Sequence, residues 1–198
     1  MLNDKYSARI VKSPTFFRET IEVGTLKLQG YDIEELRVKL LDENPLKIMP
    51  ARRNKEISSA VLVRVEALTQ DQLQVLKSGS LSDKKYMTMV SIMKTERLIR
   101  ELLNEVYVDK IDMGQKIIDD GDINVFFRRK AEEHEDVAKF QDVTIKKLKQ
   151  VIKKILKELE LVRPLGKSME ILPPIPSKQF IDAIEQEESS IKSVFIRG

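Results

Sequence analysis

The chain reads as a predominantly α-helical protein, with helix-turn-helix elements and one short β-hairpin near its C-terminal end. Chain breakers are few: glycine and proline supply seven residues each, while hydrophobic residues make up 41% and charged residues 34%. That balance suits amphipathic helices and excludes a wholly disordered chain. Apolar side chains recur at helical spacing, twice behind a capping-box pattern, Asp32-Ile33-Glu34-Glu35 and Thr69-Gln70-Asp71-Gln72. One region departs from this grammar. Leu161–Arg163 and Met169–Leu172 are short apolar stretches joined by Pro164-Leu165-Gly166-Lys167, the composition of a hairpin.

Taken in order, Ser13-Pro14 predicts the start of a first helix, with Ser13 as N-cap, Pro14 at the first helical position and Gly30 as the C-terminal stop. Asp32 caps a second helix with Leu36, Leu40 and Leu41 inward, ended by Asn44-Pro45. After a loop to Pro50, the cluster Arg52-Arg53-Asn54-Lys55 opens a third helix with Ile57, Val61, Val65 and Leu68 inward. Thr69 starts a short fourth helix ending near Gly79. From Ser82 to Lys110 no glycine or proline interrupts, which predicts one long, central, buried helix. The polar run Asp119-Asp120-Gly121-Asp122 then marks the expected boundary between an N-terminal bundle, residues 1–118, and a C-terminal part, residues 119–198. There a helix over Ile123–His134 carries Phe126 and Phe127, a short segment spans Val137–Phe140, and Asp142 caps a periodic helix from Val143 to Glu160. The hairpin follows, and Ser177 caps a final helix through Phe180, Ile181 and Ile184. Helix, helix, helix, hairpin is the order of a winged helix-turn-helix.

Composition limits the chemistry. With no cysteine and one histidine, His134, the chain has no disulfide framework, thiolate zinc site or cysteine nucleophile. The longest apolar run, Ala60 to Val63, is four residues, against the roughly 20 of a membrane span. The start Met1-Leu2-Asn3-Asp4-Lys5 lacks a signal peptide's apolar core. A cytoplasmic protein with no membrane contact is therefore expected. Asp119, Asp120 and Asp122 have turn and N-cap composition and lack the ligand spacing of an EF-hand. His134, amid Glu132, Glu133, Glu135 and Asp136, reads as a surface residue at a helix end. No phosphate-cradling glycine loop or nucleophile elbow occurs. The expectation is no enzyme, no metal, no cofactor and no small-molecule substrate; nuclease, methyltransferase and ATPase activity are all expected to be absent.

The net charge of +3 identifies no partner, but its distribution is informative. On the Val143–Glu160 helix, Ile145, Leu148, Val151, Ile152, Ile155, Leu156 and Leu159 share one arc of about 140°. Opposite lie Lys146, Lys149, Gln150, Lys153 and Lys157, flanked by Lys147 and Lys154. Like charges three and four residues apart repel, and a phosphate backbone would supply the missing counter-charge, with Arg163 and Lys167 of the hairpin beside it. The alternative is a solvated amphipathic face. A second cluster, Arg52, Arg53 and Lys55, with Arg64 further along, stands at a helix start, where cations oppose the helix dipole. Either phosphate binding there or a salt bridge to Asp42 and Glu43 would account for it.

Several stretches together carry a family resemblance: Tyr6-Ser7-Ala8; Ser13 to Gly30 with Phe16-Phe17; Glu34 to Asn44 leading to Ala51-Arg52-Arg53; and Lys94-Thr95-Glu96-Arg97-Leu98-Ile99-Arg100-Glu101. Phe126-Phe127 before Lys130, Thr144 with Lys147-Leu148, and Leu161 with Ile171-Leu172-Pro173-Pro174-Ile175-Pro176-Ser177 complete the set. In this order the chain resembles the BrxA family of bacterial BREX phage-defence systems. That resemblance implies an all-helical fold with helix-turn-helix elements, a likeness to the antitermination factor NusB, and binding to double-stranded DNA. It carries over Arg52, Arg53 and Lys147 by position and offers no catalytic motif. Partners implied are duplex DNA and other BREX proteins, a methyltransferase and an ATPase among them. Few Asn, Gln or Arg residues lie on the lysine face, so backbone contacts with weak sequence preference are expected. An RNA-binding module and a protein-binding scaffold are the alternatives.

Overall fold

The computed structural model describes residues 2–196. The chain folds into mostly helix with one small antiparallel sheet, as expected, and its contacts divide it into two compact units. The first comprises Thr15–Thr95 and Pro176–Gln186; the second takes Asn3–Pro14, Glu96–Ile175 and the chain from Glu187. The break therefore falls at Thr95–Glu96, and the Asp119 turn lies inside the second unit.

The first unit holds α1 (Phe17–Leu28), α2 (Ile33–Asp42), α3 (Ala51–Glu66), α4 (Gln70–Ser78) and α5 (Leu81–Thr95). Helix α1 begins at Phe17, not at the expected Ser13-Pro14. Phe16 is in the left-handed region at φ 45°, and the buried Arg64 guanidinium donates to the Thr15 carbonyl at 2.7 Å. A tertiary contact thus holds this segment out of the helix. Gly30, at φ 102° just beyond the cap Gln29, stops α1 as expected. Both expected capping boxes form, at Asp32/Glu35 and Thr69/Gln72. Leu36 and Leu40 are buried, whereas Leu41 is exposed. The α1–α4 contact is close enough that a Cβ on Gly24 would stand 3.1 Å from a Leu76 methyl carbon. Met87, Met89, Val90, Ile92 and Met93 are fully buried and make α5, from Tyr86 on, the centre of this unit.

The expected long helix from Ser82 to Lys110 is interrupted. Glu96 is extended (φ −128°, ψ 94°), and α6 restarts at Arg97–Leu102, passing through a π-helical turn, Leu103–Val108, into α7 (Asp109–Asp112). The Glu96 carboxylate accepts from Ser7 at 3.2 Å and faces Arg9 at 3.8 Å. Contacts to the N-terminal segment thus accompany a break that has no local breaker residue.

In the second unit α7 is followed by β1 (Ile117–Ile118), α8 (Asp120–Glu133), α9 (Glu135–Ala138), α10 (Asp142–Glu158), β2 (Val162–Leu165) and β3 (Ser168–Ile171). The hairpin is as expected; β1 was not, and it pairs with β3 to give the order β1-β3-β2. Asp119 and Asp122 form a reciprocal capping box on α8, while α10 is capped at Gln141 with no side-chain bond, one residue before the expected Asp142. Leu148, Ile152, Ile155, Leu156 and Leu159 are buried, each such side chain contributing about 1.5–3 kcal/mol. Ser177 caps α11 (Lys178–Ala183), which returns to α4 in the first unit. The chain does not end there: α12 (Ser189–Phe195) packs on the π-helical turn, burying Ile191, Val194 and Phe195.

Candidate nucleic-acid interface

Helix α10 is amphipathic because its aliphatic residues recur every three or four positions, and their burial fixes which side faces outward. The outward side is not uniform. Lys149 donates to Asn124 Oδ1 at 2.6 Å and lies over the Phe127 ring. Lys153 pairs with Asp120. Both partners belong to α8, so one edge of the lysine face is held against that helix. Lys146, Lys147, Lys154 and Lys157 remain exposed and have no ionic partner among the described residues. With Gln150 between them they form a stripe running along α10 for about 17 Å. Relative to the expected centre, the free stripe is shifted round the helix toward Lys147 and Lys154.

On the hairpin, Arg163 and Glu170 are directly opposite in register and joined at 2.6 Å. The bond raises the Arg163 pKa and lowers that of Glu170. Arg163 is therefore a charged residue ion-paired across the strands with Glu170. Lys167 sits at the exposed turn, beside Gly166 at φ 58°, with no partner among the described residues.

The other basic cluster is built by the first unit. Arg52 and Arg53 both reach Glu56 on their own helix, at 3.3 and 3.4 Å, so the salt bridge expected to Asp42 and Glu43 is replaced by one to Glu56. Arg53 also lies over the Phe16 ring, 5.5 Å to its centre, and Lys55 is exposed. Arg64, grouped with them in the sequence, is 2% exposed and takes no part in a surface.

The carboxylates near Asp119 act as a helix cap, and among the described residues no group of three or more His, Cys, Asp or Glu residues is placed to hold a metal ion. His134 packs on Tyr6, ring centres 4.7 Å apart. A shallow cavity of about 260 Å³ elsewhere in the unit has Val106, Met113, Val125 and Phe126 in its wall, and charges that pair with one another, Lys110 with Asp122 at 2.7 Å and Arg129 with Glu105. No helix among the described residues is long and apolar enough to cross a membrane.

The sequence missed the residues that restrain the cations. Glu56 was legible as an i+4 neighbour of Arg52, and Glu170 follows from the hairpin register. Asp120 and Asn124, 33 and 25 residues from their lysines, leave no local signal.

A family model for BrxA matches residues 4–188. The chain is 34% identical over 180 residues to "BREX protein BrxA" of Bacillus cereus (strain H3081.97), covering 91% of this chain and 88% of that one. It also shares its fold with a crystal structure of an uncharacterized protein from Magnetospirillum magneticum, at a TM-score of 0.81 and 20% identity, covering 96% and 97% of the two chains.

Proposed function

Since the chain belongs to the BrxA family of BREX proteins, we propose that it is a non-enzymatic accessory of phage defence that binds double-stranded DNA, mainly through the phosphate backbone. The observation that carries this is the exposed stripe of Lys146, Lys147, Lys154 and Lys157, none with an ionic partner among the described residues. Mutual repulsion along such a stripe is relieved when the lysines face duplex phosphates and displace their condensed counterions. The element order supports the same reading. A strand, two helices with α9 between them, then a β-hairpin whose second strand is central matches the order expected of a winged helix-turn-helix, and on this reading α10 is the recognition helix. On this reading residues 119–175 present the duplex-facing part, Lys167 reaches the flanking backbone, and Arg52, Arg53 and Lys55 form a separate phosphate contact. Lys149, Lys153 and Arg163 join only if the duplex displaces their protein partners. Other BREX proteins, a methyltransferase and an ATPase, are the proposed protein partners, and no cofactor is required.

A competition experiment tests this: the purified chain is retained on labelled duplex and challenged with unlabelled duplex, single strands or structured RNA. Duplex should compete best, and raising salt should release it. Preferential displacement by RNA would replace this reading with the NusB-like one, and assembly insensitive to salt with no retention of nucleic acid would favour a protein scaffold.

A further inference from the structure

Resting on the duplex-binding reading above, we infer that Gln150 is a base-reading residue that selects adenine at one position of the duplex. Gln150 is exposed and its amide has no partner among the described residues. The four unpaired lysines of α10 stand at i−4, i−3, i+4 and i+7 from it, as Lys146, Lys147, Lys154 and Lys157. At about 100° per residue, Lys146 and Lys157 lie on one side of Gln150 by about 20° to 40°, and Lys154 and Lys147 on the other by about 40° to 60°. The two pairs straddle it. If each pair meets one phosphate strand, the side chain between them points at the floor of the groove.

The chemistry at that point is selective. The amide of glutamine offers a carbonyl acceptor and an NH₂ donor side by side. Adenine offers the complementary N6 donor and N7 acceptor on its major-groove edge, a pairing that no other base presents in the same order. The lysines around it supply sequence-independent affinity and register, while the amide supplies the discrimination. Val143, also exposed and two turns before Gln150 on nearly the same line, brings an apolar group with no donor or acceptor of its own. Lys153, about 60° round the helix from Gln150, and Lys149, about 100° round it, are held by Asp120 and Asn124. One amide therefore gives a preference at one base pair, consistent with weak overall specificity.

The test is selection from a pool of duplexes with a random core, using the full chain and its Gln150→Ala variant, with affinity for unselected duplex measured in parallel. Because Gln150 is exposed, the variant should keep its circular dichroism spectrum. The wild type should enrich adenine at one position on the order of ten- to a hundredfold. The variant should lose that enrichment while its affinity for unselected duplex changes by less than about twofold. A flat wild-type pool, or enrichment that persists in the variant, would overturn the role of Gln150 while duplex binding stands. Failure of both proteins to bind any duplex in a salt-dependent way would overturn the inference together with the reading on which it rests.

Discussion

Asp120 carries the plainest energetic consequence at the level of single residues. Its carboxylate holds Lys153, so a phosphate approaching that edge of α10 must displace it. Changing Asp120 to Asn removes the competing charge and keeps a polar residue at the first position of α8. Duplex binding should tighten, with the salt-dependence slope steeper by about 0.9, as for one more neutralised phosphate. An unchanged slope, measured by titration at several salt concentrations, would show that Lys153 is a structural residue only. The arginines of α3 give a second prediction. Arg52 is 91% exposed and Arg53 41%, and pairs of this kind within a helix contribute about 0.3–0.5 kcal/mol each. Replacing both with Ala should weaken duplex binding while stability stays within about 1 kcal/mol in a denaturant titration. A large loss of stability with unchanged affinity would assign them to the fold instead.

Single elements were legible where their signals are local. The capping boxes at Asp32 and Thr69, the Gly30 stop, the Ser177 cap and the hairpin about Gly166 all stand where the residue types place them. What escaped depends on distant partners. The break at Glu96 has no glycine or proline and is accompanied by contacts from Ser7 and Arg9, some 90 residues earlier. Helix α1 starts late because Arg64 holds Thr15. Strand β1 is two residues long and exists only through its pairing with β3. In contrast, α12 had a usable signal, since Ile191, Val194 and Phe195 recur at i, i+3 and i+4. For the candidate site, the apolar and basic sides of α10 were readable from periodicity, whereas the division of the basic side into free and held lysines required α8 in place.

The organisation of the whole molecule follows from segments that return across long stretches of sequence. In the second unit the N-terminal segment is tied to α6 and α8 by a charged network. Tyr6 donates to Glu101 at 2.7 Å, Arg97 donates to the same carboxylate at 2.6 Å, and the 5% exposed Lys130 reaches Glu101 and Glu105 at 2.9 and 2.7 Å. Burial pushes the Glu101 pKa upward, but the bonds from Arg97, Tyr6 and Lys130 outweigh it and hold the pKa below its ordinary 4.5. For Lys130, burial pushes down and the bonds to Glu105 and Glu101 prevail, raising it above 10.5. Burial, then the bond to Glu101, raises the Tyr6 phenol. The depressed carboxylate contributes stability above its ordinary value and loses it as pH falls through its folded pKa. The raised lysine and phenol contribute below their ordinary values and lose it as pH rises through their folded ones. Denaturation midpoints should therefore be nearly level from about pH 5 to pH 10 and fall on both sides. Tyr6→Phe should lower the plateau by about 1 kcal/mol. A plateau unaffected by that change would remove Tyr6 from the network's energetics.

Charge at this scale is nearly balanced, at +3 overall, so any duplex affinity must come from local accumulation rather than from the molecule's mean field. The most direct measurement of that claim is the slope of log K against log salt for an unselected duplex, compared between the wild type and Lys146→Ala/Lys154→Ala/Lys157→Ala. The helix should survive, because alanine is the better helix former and the buried side of α10 is untouched. If the stripe is the duplex contact, the slope should become shallower by roughly 2 to 3 units, equally for unrelated sequences. An intact circular dichroism spectrum with an unchanged slope would contradict the account and leave Arg52, Arg53 and Lys55 as the remaining candidate surface.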